Sequence, residues 1–191
     1  MKAMMMSIRP RHVCNILNGI KKREVRSKFP KDFVGWVYIY CTKDSKKGWC
    51  MVGINGNETY YQKYDKYAAY SPKHNYMGNG KVVARFWCDK VEEITTRQDR
   101  FKEFVFYETS LDMENLLMQS CLDYNELDNY LHGKNGYAIH IIKLEIFDKP
   151  KELYDFKVSR PFTYTNGLKS FLYYPLTKAP ESYCYMEVEN E

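Results

Sequence analysis

The chain has no Cys-x-x-Cys pair, no His-x-x-x-His and no apolar run near the roughly 18 residues that span a bilayer. Each absence removes a class of protein. The six cysteines, Cys14, Cys41, Cys50, Cys88, Cys121 and Cys184, are scattered, so no zinc site is expected and buried free thiols are. His12, His74, His132 and His140 share no ligand spacing, and neither a metal nor any other cofactor is expected. The apolar Met4-Met5-Met6 is too short for the core of a signal peptide, which points to a cytoplasmic protein without a disulfide framework or a membrane partner. Acidic residues are scarce in one region only. Residues 1–50 hold twelve Lys or Arg against three acids, a net of +9, while residues 51–180 hold seventeen of each sign. The last eleven residues carry four acids and no base. A basic end on an otherwise balanced chain is the footprint of a surface for phosphates, although charged runs such as Lys28, Lys31, Lys43, Lys46 and Lys47 also simply solvate loops.

The basic end contains one isolated carboxylate. Pro10 suits a first helical turn, Val13, Ile16 and Leu17 recur at helical spacing, and Gly19 supplies a terminator. Lys21-Lys22-Arg23-Glu24-Val25-Arg26 therefore starts where a helix ends and reads as a strand, followed by a Phe29-Pro30 turn and a second strand within Val34 to Tyr40. Alternation along an extended chain puts Glu24 and Arg26 about 7 Å apart on one face with Lys22, and Arg23, Val25 and Ser27 on the other. Lys21 joins Glu24 only if the chain bends after Gly19. Together these groups can accept from a nucleobase amine and donate to a carbonyl or phosphate; the plainer reading is a surface ion pair of little energetic weight.

Gly19, Lys21, Glu24 and Arg26 reproduce the G-x-K-x-x-E-x-R pattern, and in this the chain resembles ASCH domains of the PUA-like superfamily of β-barrels. The order of elements agrees: Lys2 to Ile8 resembles the family's first strand, Ser7-Ile8-Arg9-Pro10 its strand-to-helix junction, and Asn79 to Phe86 and Gly136 to Ile141 two barrel strands. Lys178 to Tyr185 resembles the closing strand of prophage-associated ASCH-like proteins. The resemblance implies an α+β fold, a PUA-like mixed β-barrel with flanking helices, formed by residues 1–191 as a single domain with a Tyr-rich insertion at about 43–78. It also implies binding of RNA, a nucleobase or a modified nucleoside, with Arg9, Lys21, Lys22, Glu24, Arg26, His140 and Ser182 as contacts. Some relatives hydrolyse acylated cytidine nucleosides with a threonine where Glu24 stands here, and others are associated with RNA cleavage. A hydrolase or ribonuclease using Lys21 and Glu24 is therefore the alternative, and a protein-interaction module without a nucleic-acid ligand a second one.

Other segments leave choices open. His140 shares a strand face with Ala138, Ile142, Leu144 and Ile146, as a core histidine or as a group reaching a ligand. Ser182 is a capping hydroxyl or a ligand contact. Tyr60, Tyr61, Tyr64, Tyr67, Tyr70 and Tyr76 interleave with Lys63, Lys66, Lys73 and His74, which suits base stacking at about 1–3 kcal/mol per base, or a loop packed over the barrel. The spacing of Tyr60, Tyr64 and Tyr67 also fits a short helix. Asp112 to Cys121 reads as a helix, and Asp123 with Glu126 as a capping box for a second one over Tyr124 to His132. Residues 157–177 read as an extended excursion or a hairpin around Asn166-Gly167.

Overall fold

A computed structural model describes residues 2–43, 48–62, 73–98, 100 and 105–188. The chain runs β1 (Lys2–Ile8), α1 (Pro10–Leu17), β2 (Arg23–Arg26), β3 (Gly35–Cys41), β4 (Trp49–Gly53), β5 (Tyr60–Gln62), β6 (Asn75–Met77), β7 (Val82–Cys88) and β8 (Val91–Gln98). It continues through β9 (Val105–Thr109), α2 (Met113–Ser120), α3 (Tyr124–Leu131), β10 (Gly136–His140), β11 (Ile142–Lys151), β12 (Lys157–Thr163), β13 (Lys169–Pro175) and β14 (Tyr183–Glu187). This is an α+β fold. The strands form a seven-stranded sheet in the order β11-β7-β3-β1-β14-β12-β13, a four-stranded sheet β2-β10-β8-β9 and a three-stranded sheet β5-β4-β6. No ladder closes into a barrel among the described residues, since the largest sheet ends at β11 and β13.

Period-two burial explains the large sheet. In β1, Met4, Met6 and Ile8 enter one core while Ala3 and Met5 enter another; β3 divides likewise, with Val37, Ile39 and Cys41 against Tyr38 and Tyr40. Both faces of these central strands are covered, which is why they read as unbroken apolar runs. Helix α1 covers one face with Val13, Cys14, Ile16 and Leu17. The second sheet has its own core, where Val25, Ile94 and Ala138 meet Leu116 of α2 and Leu127 and Leu131 of α3.

Both expected helices form, with Asp112 and Asp123 as their N-caps and Cys121 and His132 just past their ends. Asp112 accepts from the Asn115 amide at 3.1 Å, and Asp123 and Glu126 form the reciprocal capping box, with Asp123 accepting from the Glu126 amide at 2.8 Å. Replacing Asp123 with alanine leaves the Glu126 amide without its side-chain partner and is expected to cost about 1 kcal/mol in urea denaturation. Residues 157–177 do form a hairpin, β12 to β13, turning at Gly167 in the left-handed region at φ 82°.

The Tyr-rich segment departs from expectation. Tyr60 lies in a strand and not in a short helix, and Cys50, Val52 and Tyr76 belong to the main core. The Tyr76 hydroxyl donates to the Phe147 carbonyl at 2.8 Å, tying the segment to β11. What reads as an insertion thus supplies core side chains. Lys46, Lys47, Lys63, Tyr64, Lys66, Tyr67 and Tyr70 lie outside the described residues.

Candidate functional site

Gly19, at φ 68°, ends α1 in the left-handed conformation that a side chain disfavours, and the Ile20 and Lys21 amides then both donate to the Asn15 carbonyl at 2.9 Å. This turn supplies the bend that brings Lys21 beside Glu24. The Lys21 ammonium donates to the Ser120 carbonyl, the last of α2, at 2.5 Å and lies 3.3 Å from Glu24 Oε2. A cation at that carbonyl end also complements the helix dipole. Arg26 Nη2 reaches Glu24 Oε1 at 2.9 Å and donates to the Ser7 carbonyl at 2.7 Å, binding β2 to β1.

These three side chains are buried, with residue exposures of 2% for Lys21, 5% for Glu24 and 8% for Arg26. They are therefore not the surface ion pair of the plainer reading. Burial pushes the Glu24 carboxyl upward, but the Lys21 and Arg26 cations outweigh it and hold the group below the usual carboxylate range. Glu24 stays ionised. Flanked by two cationic donors, the carboxylate is held in one place.

A cavity of about 850 Å³ opens over this cluster. Its walls include Arg9, Lys21, Glu24, Arg26 and Ser182, five of the seven sequence-predicted contacts. Lys22 and His140 are absent from them. Lys22 precedes β2 rather than lying within it, so the turn leaves its side chain exposed, while its amide donates to the Gln119 carbonyl at 2.7 Å. His140 ends β10, the ladder breaks at Ile141, and the ring nitrogen Nδ1 meets Asp89 Oδ1 at 2.8 Å; it does not continue one face through Ile142 and Leu144. Ser27 corrects a third expectation. It follows the end of β2, so alternation does not carry it to the opposite face, and it borders the cavity.

The walls also hold residues that no motif marks, among them Ser7, Arg11, His12, Thr42 and His132. His12 is the most consequential. Burial lowers its pKa to about 4, with Glu24 raising it and Lys21 and Arg11 lowering it further, so the imidazole is neutral at pH 7. Arg11 reaches across from α1 to Glu126 of α3 at 2.6 Å. Three buried polar atoms of the wall residues, His12 Nδ1, Arg26 Nε and Thr42 Oγ1, have no hydrogen-bond partner. Buried polar atoms ordinarily find partners, and these three belong to residues of one cavity wall.

Behind the strand lies a second buried pair that no motif marks. Arg23 pairs with Glu92 of β8, donates through Nε to Gln119 Oε1 at 2.9 Å, and shares Glu92 with Lys90, whose ammonium sits 2.8 Å away. Neither Arg23 nor Glu92 lines the cavity over Glu24. This pair fastens β2 to β8 and α2.

No protein-family profile matches the chain, and no curated protein matches it. Among solved structures it is similar to the ASCH protein of Zymomonas mobilis, at 13% identity over 79% of this chain and 73% of that one, with a TM-score of 0.46. Two single-residue variants of the same protein match at 13% identity over 79% of this chain, covering 76% and 74% of their own, with TM-scores of 0.44 and 0.45.

Proposed function

We propose that the chain is an ASCH-type, PUA-like binding module, one domain over residues 1–191, that recognises RNA through a nucleobase or modified nucleoside held over Lys21, Glu24 and Arg26. The observation that carries this reading is the cluster itself, a carboxylate fixed between the cations of Lys21 and Arg26 in the wall of a cavity large enough for a nucleoside. A planar base offers such a site both chemistries: amine or ring N–H groups for the carboxylate and carbonyls for the free donors. Arg9 is exposed and Arg11 half-exposed at the same cavity, where they suit the phosphates of a strand.

A hydrolase or ribonuclease acting on RNA or nucleosides is the second reading, with His12 as its candidate base. The imidazole is neutral at pH 7, but a pKa of about 4 leaves it a weak acceptor for a proton from water or a hydroxyl. Glu24 itself suits neither role, since a carboxylate held ionised by two cations is a poor acid and a weak base.

Fluorescence anisotropy with single-stranded RNA over a salt series tests the binding reading. Arg26→Lys keeps the charge facing Glu24 but removes the planar donor fork, and is expected to weaken binding about tenfold or more. Arg9→Ala with Arg11→Ala should lower the slope of log affinity against log salt by about 1.4, two phosphate contacts in single-stranded RNA. If wild type binds neither RNA nor nucleosides, or if none of these substitutions changes binding, the reading fails. Product formation from RNA or acylated cytidine would instead establish the hydrolase.

A further inference from the structure

The hairpin β12 to β13 is tied to the body of the large sheet by one registered pair, Lys157 with Glu187, supported by the Ser159 hydroxyl donating to Glu187 Oε1 at 3.1 Å. Beyond its base both faces are exposed, and β13 is the edge of the sheet. The register sorts its side chains: Arg160, Phe162, Leu172 and Tyr174 lie on one face, and Pro161, Phe171 and Tyr173 on the other. Phe171 and Tyr173 are more than half exposed, at 56% and 58%. Residues 156–180 contain Lys157, Arg160, Lys169 and Lys178 and no acid. A two-stranded hairpin is marginal by itself, and one that shows aromatic rings on both faces among bases has surface to offer a partner.

We propose that this hairpin is a second contact surface for single-stranded RNA, on which bases stack against Phe162, Phe171, Tyr173 and Tyr174 while Lys157, Arg160 and Lys169 meet the phosphates. The charge decides the class of partner: Lys157, Arg160 and Lys169 are the charged residues of the hairpin itself, and beyond the Glu187 contact at its base they complement a polyanion. Other occupants fit less well. Lys169 and Pro175 stand at the two ends of β13, the positions where a lysine and a proline discourage addition of another strand, and so argue against pairing with a second copy. The tip Thr165-Asn166-Gly167 is polar, which does not suit insertion into lipid. Because β12 runs antiparallel to β14 from Glu187, the hairpin heads toward the end of the sheet where Glu181 and Ser182 border the cavity.

This inference rests on the RNA reading of the cavity, and its test separates the two. Anisotropy with a labelled 12-nucleotide single-stranded RNA is measured for wild type, for Phe171→Ala with Tyr173→Ala, and for Phe162→Ala with Tyr174→Ala; mononucleotide binding is measured alongside by calorimetry. All four side chains are exposed, so the variants are expected to melt as wild type does. The expected result is that at least one pair of substitutions weakens the 12-mer tenfold or more while mononucleotide affinity stays unchanged. If both hairpin variants bind the 12-mer like wild type while Arg26→Lys does not, the hairpin proposal falls and the cavity reading stands. If wild type binds no RNA, both fall. A wild type that is dimeric by light scattering, with monomeric hairpin variants, would assign the surface to a second copy and overturn the proposal.

Discussion

Glu24→Ala is expected to lower the stability of the fold by about 3–5 kcal/mol, the loss that follows when one partner of a buried ion cluster is removed. The substitution takes away no apolar contact of comparable weight. Its cost arises because the Lys21 ammonium and the Arg26 guanidinium remain more than nine-tenths buried with no anion between them. Their remaining bonds are to carbonyls, those of Ser120 and Ser7, which solvate a cation without neutralising it. For a chain of 191 residues a loss of this size lowers the melting temperature by about 10 °C. Replacing the cluster as a set, with Lys21→Met, Glu24→Leu and Arg26→Met, should recover most of that stability, because neutral side chains of similar volume avoid the desolvation of three charges. The same triple variant should bind no nucleic acid at the cavity. A fold that keeps its stability without the charges, and loses its ligand, identifies the cluster as a recognition device. If Glu24→Ala costs less than about 1 kcal/mol in urea denaturation, the two cations find water instead, and the account of a preorganised site fails.

The cluster was legible because its parts are local. A helix terminator at Gly19, a carboxylate among cations and a strand pairing with β10 are contained within eight residues, and the left-handed turn that brings Lys21 to Glu24 is the conformation a glycine there permits. Lys22, Ser27 and His140 were misplaced for one shared reason. Alternation assigns faces only while a strand continues, and β2 spans Arg23–Arg26 while β10 stops at His140. Each of the three residues lies at or beyond such an end. Glu92 left no signal in the alternation. It shares parity with buried Ile94, but its neighbour Glu93 shares parity with Val91, so the two apolar residues of β8 point to opposite acids and only the structure shows Glu92 facing inward. The sheet formed by β4, β5 and β6 left none either, since strands as short as Tyr60–Gln62 and Asn75–Met77 cannot establish a period. His12 is a different case. Its place on the first turn of α1 follows from the sequence, but its neighbour Glu24 belongs to the next element, and only the reversal at Gly19 joins them.

Stability should begin to fall as the pH drops below about 6.5, and His12 should be the cause. In the unfolded chain this imidazole takes up a proton near its ordinary value of 6.5, whereas in the fold its pKa lies at about 4. Between those values the unfolded state binds the extra proton, so the contribution is complete above 6.5 and is lost progressively on acidification, at up to about 1.4 kcal/mol per pH unit. The whole window is worth up to about 3 kcal/mol. The groups around the ring set its sign: burial is the leading influence, Glu24 favours the imidazolium, Lys21 and Arg11 oppose it, and Glu126 adds a smaller favourable effect. Glu24 acts in the same direction at lower pH, because a carboxyl held below its ordinary 4.5 loses its contribution only as the pH falls through that range. Urea denaturation at pH 7, 6, 5 and 4 therefore separates the two, since His12→Gln should flatten the upper part of the curve and leave the loss below about 4.5 in place. An unchanged upper slope in that variant would remove His12 from the account. The sign also extends to the ligand. A phosphate that reaches Nδ1 would stabilise the imidazolium and raise its pKa, so by linkage affinity should increase as the pH falls from 7 to 5, in wild type but not in His12→Gln.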